Sequence, residues 1–161
     1  MNKTAIYPGS FDPFTNGHLD IVKKASRLFQ RVDILIGVNP NKKRAYSPES
    51  VKRAIEKTLA NENIENCRVI ILNGLVGKYS IDNNIRYMIR GLRNNMDYNY
   101  EENIAEVNKL LNPDLEYVYF RADNVAVSSS MVKELYSYRQ DVSKFVPPAV
   151  WEIMSEKPYD E

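Results

Sequence analysis

Cysteine occurs once in this chain, at Cys67, and histidine once, at His18. One thiol forms no internal disulfide, and no cluster of His, Cys and Asp suggests a tightly held metal. Cys67 lies in the apolar run Cys67-Arg68-Val69-Ile70-Ile71-Leu72 and reads as a small buried strand residue. An excess of charge is also missing: 22 Lys+Arg against 21 Asp+Glu leave a net charge of +1. A general nucleic-acid binder carries a clear basic excess, so that class is disfavoured, whereas a local basic pocket is not. No run reaches the roughly 18 apolar residues of a membrane span. The N-terminus shows no uninterrupted apolar core before Pro8. Neither a membrane anchor nor a signal peptide is expected, and a cytoplasmic protein is.

Several chemical signatures are absent as well. There is no G-x-G-x-x-G dinucleotide fingerprint and no G-x-S-x-G elbow. Gly74-Leu75-Val76-Gly77-Lys78 is two residues too short for a phosphate-binding P-loop. The lone histidine has no Ser or Asp partner at useful spacing, and no carboxylate pair is placed for acid–base work. Hydrolysis through a covalent intermediate is therefore disfavoured.

What is present is an alternation of strands and helices. With 43% hydrophobic residues in 161 positions, the chain can bury one core of ordinary domain size, residues 1–161 forming a single domain. Strands are expected at Thr4–Tyr7, Val32–Val38, Arg68–Leu72, Ile85–Ile89 and Leu115–Phe120. Helices are expected at Gly17–Gln30, from Ser47-Pro48-Glu49 to about Ala60, at about Gly74–Asn83, Tyr98–Leu111, Met131–Tyr138, and from Val146 through Met154. Ser47 is placed as an N-cap with Pro48 at the first helical position. Such an order implies an α/β fold, a Rossmann-like, doubly wound, parallel five-stranded sheet with helices on both faces. Ligands of these folds sit beyond the carboxyl ends of the strands, where strand order reverses.

The densest stretch on that rim is Tyr7-Pro8-Gly9-Ser10-Phe11-Asp12-Pro13-Phe14-Thr15-Asn16-Gly17-His18. It reads as strand, tight loop and helix start. Gly9, lacking a Cβ, is expected to let the backbone approach a ligand. Pro8 and Pro13 stiffen the loop and remove competing donors. His18 sits where free helix N–H groups and the positive dipole end favour an anion. After the second strand come Lys42 and Lys43; after the third, Leu75 and Val76; after the fourth, Arg90, Gly91 and Arg93; after the fifth, Ser128-Ser129-Ser130. The histidine, lysine, arginines, glycines and hydroxyls among these bind and neutralise phosphate oxygens, and none is an activated nucleophile. Phosphoryl or nucleotidyl transfer needs little more than in-line positioning and charge stabilisation. If the second substrate carries its own phosphate, it supplies the nucleophile, and the transfer is direct.

Gly9 to His18 resembles the extended histidine motif of the nucleotidyltransferase superfamily. Arg90-Gly91-Leu92-Arg93 followed by Asp97-Tyr98-Asn99-Tyr100-Glu101, and Ser128-Ser129-Ser130-Met131-Val132-Lys133-Glu134, extend the resemblance to the bacterial phosphopantetheine adenylyltransferases over nearly the whole chain. That family makes dephospho-coenzyme A and pyrophosphate from ATP and 4′-phosphopantetheine. The resemblance implies that His18 stabilises the transition state and contacts ATP. It implies that Ser10 and Phe11 meet substrate phosphates, and that Lys42 and Arg90 hold phosphopantetheine. Gly91, Leu92, Arg93 and Glu101 would bind ATP, as would the segment Asn124, Val125, Ala126, Val127, Ser128, Ser129 and Ser130, where Ser129 or Ser130 could cap the helix. Val76 falls where the pantetheine arm packs, with core packing as the competing reading; Lys43 and Arg44 read as solvated. At Asn124–Val127 the chain lacks the family's aromatic and first serine, and the loop is about two residues shorter than in many relatives. The family further implies Mg²⁺ on the ATP phosphates, a homohexamer, and coenzyme A as a feedback ligand. The alternatives are an adenylyltransferase acting on nicotinamide mononucleotide, a cytidylyltransferase, and a module that binds ATP or coenzyme A without turnover.

Overall fold

The computed structural model describes residues 3–92, 108–121 and 127–156. Five strands, β1 (Thr4–Gly9), β2 (Arg31–Gly37), β3 (Cys67–Leu72), β4 (Tyr87–Leu92) and β5 (Glu116–Arg121), pair in the order β3-β2-β1-β4-β5. Every pairing is parallel. The helices are α1 (Asn16–Leu28), α2 (Pro48–Asn61), α3 (Val76–Asp82), α4 (Ser129–Ser137) and α5 (Pro148–Ser155), with a 3₁₀ turn at Ser143–Phe145. The expected doubly wound sheet is therefore present. Strand order reverses between β1 and β4, so a crevice opens beyond their carboxyl ends.

Both faces of the sheet are covered, which is why the strands read as apolar runs. Ala5, Tyr7, Ile34, Ile36 and Ile89 face a core shared with Ile21 and Val22 of α1, Ile55 of α2 and Val150 of α5. Ile6, Leu35 and Met88 point the other way, into a smaller core with Ile85, Leu115 and the Tyr79 side of α3. Ser47 caps α2 by accepting from the Ser50 amide, and Pro48 opens it, as expected.

The fourth strand departs from expectation. Ile85 is buried but belongs to a turn: its amide donates to the Ser80 carbonyl at 2.8 Å and closes α3. The strand starts at Tyr87 and runs on through Arg90, Gly91 and Leu92, which pair with Tyr119, Phe120 and Arg121 of β5. These three residues, expected to follow the strand, are part of it. Of the helix expected at Tyr98–Leu111, residues 108–111 are helical and the rest lies outside the described residues. The other described boundaries move by at most two residues, the first helix starting at Asn16 and ending at Leu28. Three helices end without glycine. Asn63, Asn84 and Arg139 take φ of 56, 52 and 61° one residue past the C-caps of α2, α3 and α4. The next amides return to Leu59, Ser80 and Leu135, the Schellman closure.

Candidate active site

The loop between β1 and α1 forms the floor of the crevice. Thr15 is the N-cap of α1, and its side chain accepts from the His18 amide at 3.3 Å. In return, the Thr15 amide donates to His18 Nδ1 at 2.9 Å. This is a capping box with histidine in the place usually held by Glu or Gln. A backbone amide can only donate, so Nδ1 is unprotonated and the ring proton lies on Nε2. The imidazole is also held sideways: Phe11 meets it edge-on at 4.9 Å, and Phe14 stacks on it at 5.5 Å.

Phe11 is the keystone of this cluster. It is 2% exposed, also contacts Tyr7 edge-on at 5.3 Å, and holds φ at 48°. A non-glycine residue there is strained by about 1–3 kcal/mol and persists when its surroundings over-determine it. Gly9 explains how the ring fits. A Cβ at Gly9 would lie 2.9 Å from Phe11 Cζ and 3.0 Å from Cε1. Expected to admit a ligand, Gly9 admits this ring, and the ring in turn walls His18.

The remaining expected residues fall into three groups. Ser10, Arg90 and Ser129 border the same loop. Ser10 is exposed at its start, Arg90 Nη1 donates to the Pro8 carbonyl at 2.6 Å across the strand-order reversal, and Ser129 Oγ donates to the Pro13 carbonyl at 2.7 Å. Lys42 is exposed in the adjoining loop, where its amide donates to Asn39 O at 3.0 Å. Others serve the fold. Val127 packs on the larger core, and Ser128, rather than Ser129 or Ser130, caps α4 by accepting from the Met131 amide. Ser130 is exposed. A Cβ on Gly91 would stand 3.1 Å from Ile21 Cγ1, so its small size lets α1 seat on β4. Val76 is half-buried against the smaller core, with Leu75 beside it 62% exposed. Leu92 ends β4. Arg93, Glu101, Asn124, Val125 and Ala126 lie outside the described residues.

Two expectations about charge change. Arg44 is half-buried, not solvated: Nε donates to Tyr46 O at 3.0 Å and Nη1 to Gly37 O at 3.5 Å, strapping the loop that carries Lys42. Cys67 is half-buried rather than buried; desolvation, with the charge of Asp33 adding to it, pushes its thiol up to about 11, so it is inert as a nucleophile.

Sequence reasoning gave no role to Asp12, Lys133 or Asp33. Asp12 is buried beneath the loop and accepts the Ala45 and Tyr46 amides, with Lys133 Nζ 3.3 Å from Oδ2. The signal for it in the sequence is a lone carboxylate flanked by the apolar Phe11 and Pro13. Asp33 lies near the opposite, amino end of β2, fully buried. It accepts from Arg31 and Arg68 at 3.0 and 2.8 Å and from the Tyr79 hydroxyl at 3.0 Å. Burial opposes its charge, but the Arg68 and Tyr79 hydrogen bonds and the two guanidinium charges outweigh that cost and hold its carboxyl below the usual range. It ties β2, β3 and α3 together away from the crevice. Among the described residues no three His, Cys, Asp or Glu side chains gather as a metal site, and no helix is long and apolar enough to cross a membrane.

A cytidylyltransferase-like family model matches residues 6–159. The chain is similar to the phosphopantetheine adenylyltransferase of Leuconostoc citreum, 40% identical over 156 residues that cover 95% of this chain and 97% of that one. It is similar to those of Heliobacterium modesticaldum, 41% identical with 95% and 91% covered, and Cytophaga hutchinsonii, 40% identical with 91% and 98% covered. Among solved structures, a candidate nicotinate-nucleotide adenylyltransferase of Vibrio parahaemolyticus superposes with a TM-score of 0.71 at 15% identity, covering 97% of this chain and 93% of its own, a likeness of fold. With near-complete coverage at about two-fifths identity, the chain belongs to the cytidylyltransferase-like nucleotidyltransferases and, within them, to the phosphopantetheine adenylyltransferase family.

Proposed function

We propose that this chain transfers the adenylyl group of ATP to 4′-phosphopantetheine, giving dephospho-coenzyme A and pyrophosphate. The observation that carries this reading is its likeness to the three phosphopantetheine adenylyltransferases over at least 91% of its length. The crevice chemistry supports it. A phosphate oxygen of the acceptor attacks the α-phosphorus of ATP, the bond to the β-phosphate oxygen breaks, and pyrophosphate leaves. The acceptor brings its own nucleophile, so the protein needs only donors and cations. His18, locked with its proton on Nε2 at the start of α1, stabilises the charge developing on the α-phosphoryl oxygens. Ser10 and the α1 amino end add dipoles, Lys42 and Arg90 hold the acceptor's phosphate, and Arg93 and Glu101 serve ATP.

Mg²⁺ would enter on the ATP phosphates, since the described side chains do not form a cage for it. It would neutralise the triphosphate. A homohexamer, feedback by coenzyme A and a cytoplasmic location belong to the same proposal. The test is pyrophosphate release from Mg-ATP with 4′-phosphopantetheine, with nicotinamide mononucleotide as a parallel acceptor. Release with the first supports the reading; release with the second alone overturns it, as does ATP binding without release from either.

A further inference from the structure

Asp12 is 5% exposed, and its two oxygens take adjacent backbone amides from the one loop between β2 and α2. Oδ2 accepts from Ala45 and Oδ1 from Tyr46, both at 2.9 Å. Lys133 Nζ of α4 approaches Oδ2 at 3.3 Å. Three segments thus meet on one carboxylate: the loop leading to His18, the loop carrying Lys42, and the helix capped by Ser128. A two-oxygen, two-amide fork sets orientation as well as distance, and its bonds are the strong, charge-assisted kind.

Short-range bonds set the internal shape of the loop that carries Lys42. The Asn41 amide donates to Asn39 Oδ1, the Lys42 amide to Asn39 O, and Arg44 spans Gly37 O and Tyr46 O. These give the loop a shape. Asp12 fixes where that shape sits relative to His18, which lies six residues further along the same chain segment. Burying a carboxylate is costly unless it is paired and hydrogen-bonded. An asparagine could accept only through its single oxygen, so the full fork requires the charge, and Lys133 neutralises it.

We propose that Asp12 is a positioning residue that holds the Lys42 loop in register with His18, with Lys133 orienting its carboxylate. The inference rests on the adenylyl-transfer reading, in which Lys42 meets the acceptor and His18 the transferred phosphoryl group. Loss of the fork should therefore fall on the acceptor and spare ATP. Misplacement of a reacting group by about 1 Å costs on the order of 10²-fold.

The test is Asp12→Asn, read by amide hydrogen exchange and by the Michaelis constants of both substrates. Exchange of the Ala45 and Tyr46 amides should accelerate by about tenfold or more while the β3 amides stay protected. KM for 4′-phosphopantetheine should rise about 10–100-fold with KM for ATP within about twofold. Unchanged exchange at Ala45 and Tyr46, or Michaelis constants that stay put or rise together, overturns the proposal. If Asp12→Asn does not fold, Lys133→Met goes through the same measurements, with smaller changes of the same pattern expected and no change overturning it. If the wild-type protein releases no pyrophosphate with this acceptor, adenylyl transfer fails as the function, and the amide exchange still decides the clamp.

Discussion

Replacing His18 by Gln and by Ala separates what the ring does for the helix from what it does for the reaction. In the wild-type protein, Nδ1 accepts the Thr15 amide at 2.9 Å and the ring contacts Phe11 and Phe14. Glutamine is a usual residue at this capping-box position, so His18→Gln keeps an acceptor for the Thr15 amide. Both variants lose the aromatic contacts, worth about 0.5–1.5 kcal/mol per pair. His18→Ala also loses the side-chain acceptor for the Thr15 amide, about 1 kcal/mol, while the Thr15 cap itself stays. In a chain of this size that additional loss lowers Tm by about 2–4 °C. The catalytic loss is different in kind. Neither variant keeps the Nε2 proton in place, so kcat for pyrophosphate release should fall about 10²–10³-fold in both. Calorimetry and a coupled pyrophosphate assay at saturating substrates read the two effects apart. Turnover within about tenfold of wild type in His18→Gln would refute the assignment of Nε2–H as the stabilising donor. Coincident melting of the two variants would refute the capping account.

Two further substitutions probe the loop and the sheet. Gly9→Ala places a Cβ 2.9–3.2 Å from three atoms of a Phe11 ring that has nowhere to go. It should cost about 1–3 kcal/mol and lower turnover by displacing the wall of His18, and an unchanged melting curve would show that the ring yields freely. Asp33→Asn should destabilise by about 2 kcal/mol at neutral pH, since charge-assisted bonds to Arg31, Arg68 and Tyr79 are lost. The folded carboxyl is held below its ordinary value, so its stabilisation is complete above the unfolded carboxylate range and is lost as pH falls through the folded value. Denaturant titrations from neutral pH downward should therefore show wild type and variant converging in acid, and a gap that is constant or widens there contradicts the assignment.

The alternation of elements, the parallel sheet and the rim on which chemistry gathers are legible in the residues alone. These follow from local signals: apolar runs of strand length, amphipathic helical periods, and Ser47-Pro48 as a helix start. The resemblance carried by Gly9–His18 and Arg90–Arg93 supplied the family. Tertiary structure alone decided how the loop is held. Gly9 and Phe11 are two residues apart, but only the folded turn, with φ at 48°, puts the ring where a Cβ would otherwise be. Ile85 looks like strand to any local reading, and its place in the closure of α3 depends on a hydrogen bond to Ser80. Asp12 reaches Ala45 and Tyr46 across more than thirty residues, and Asp33 reaches Arg68 across the sheet. A carboxylate in a sequence announces its charge but not its partners, because partners at long range are set by strand order and register. Composition and period specify which surfaces must be buried; which polar groups then meet is a property of the assembled sheet.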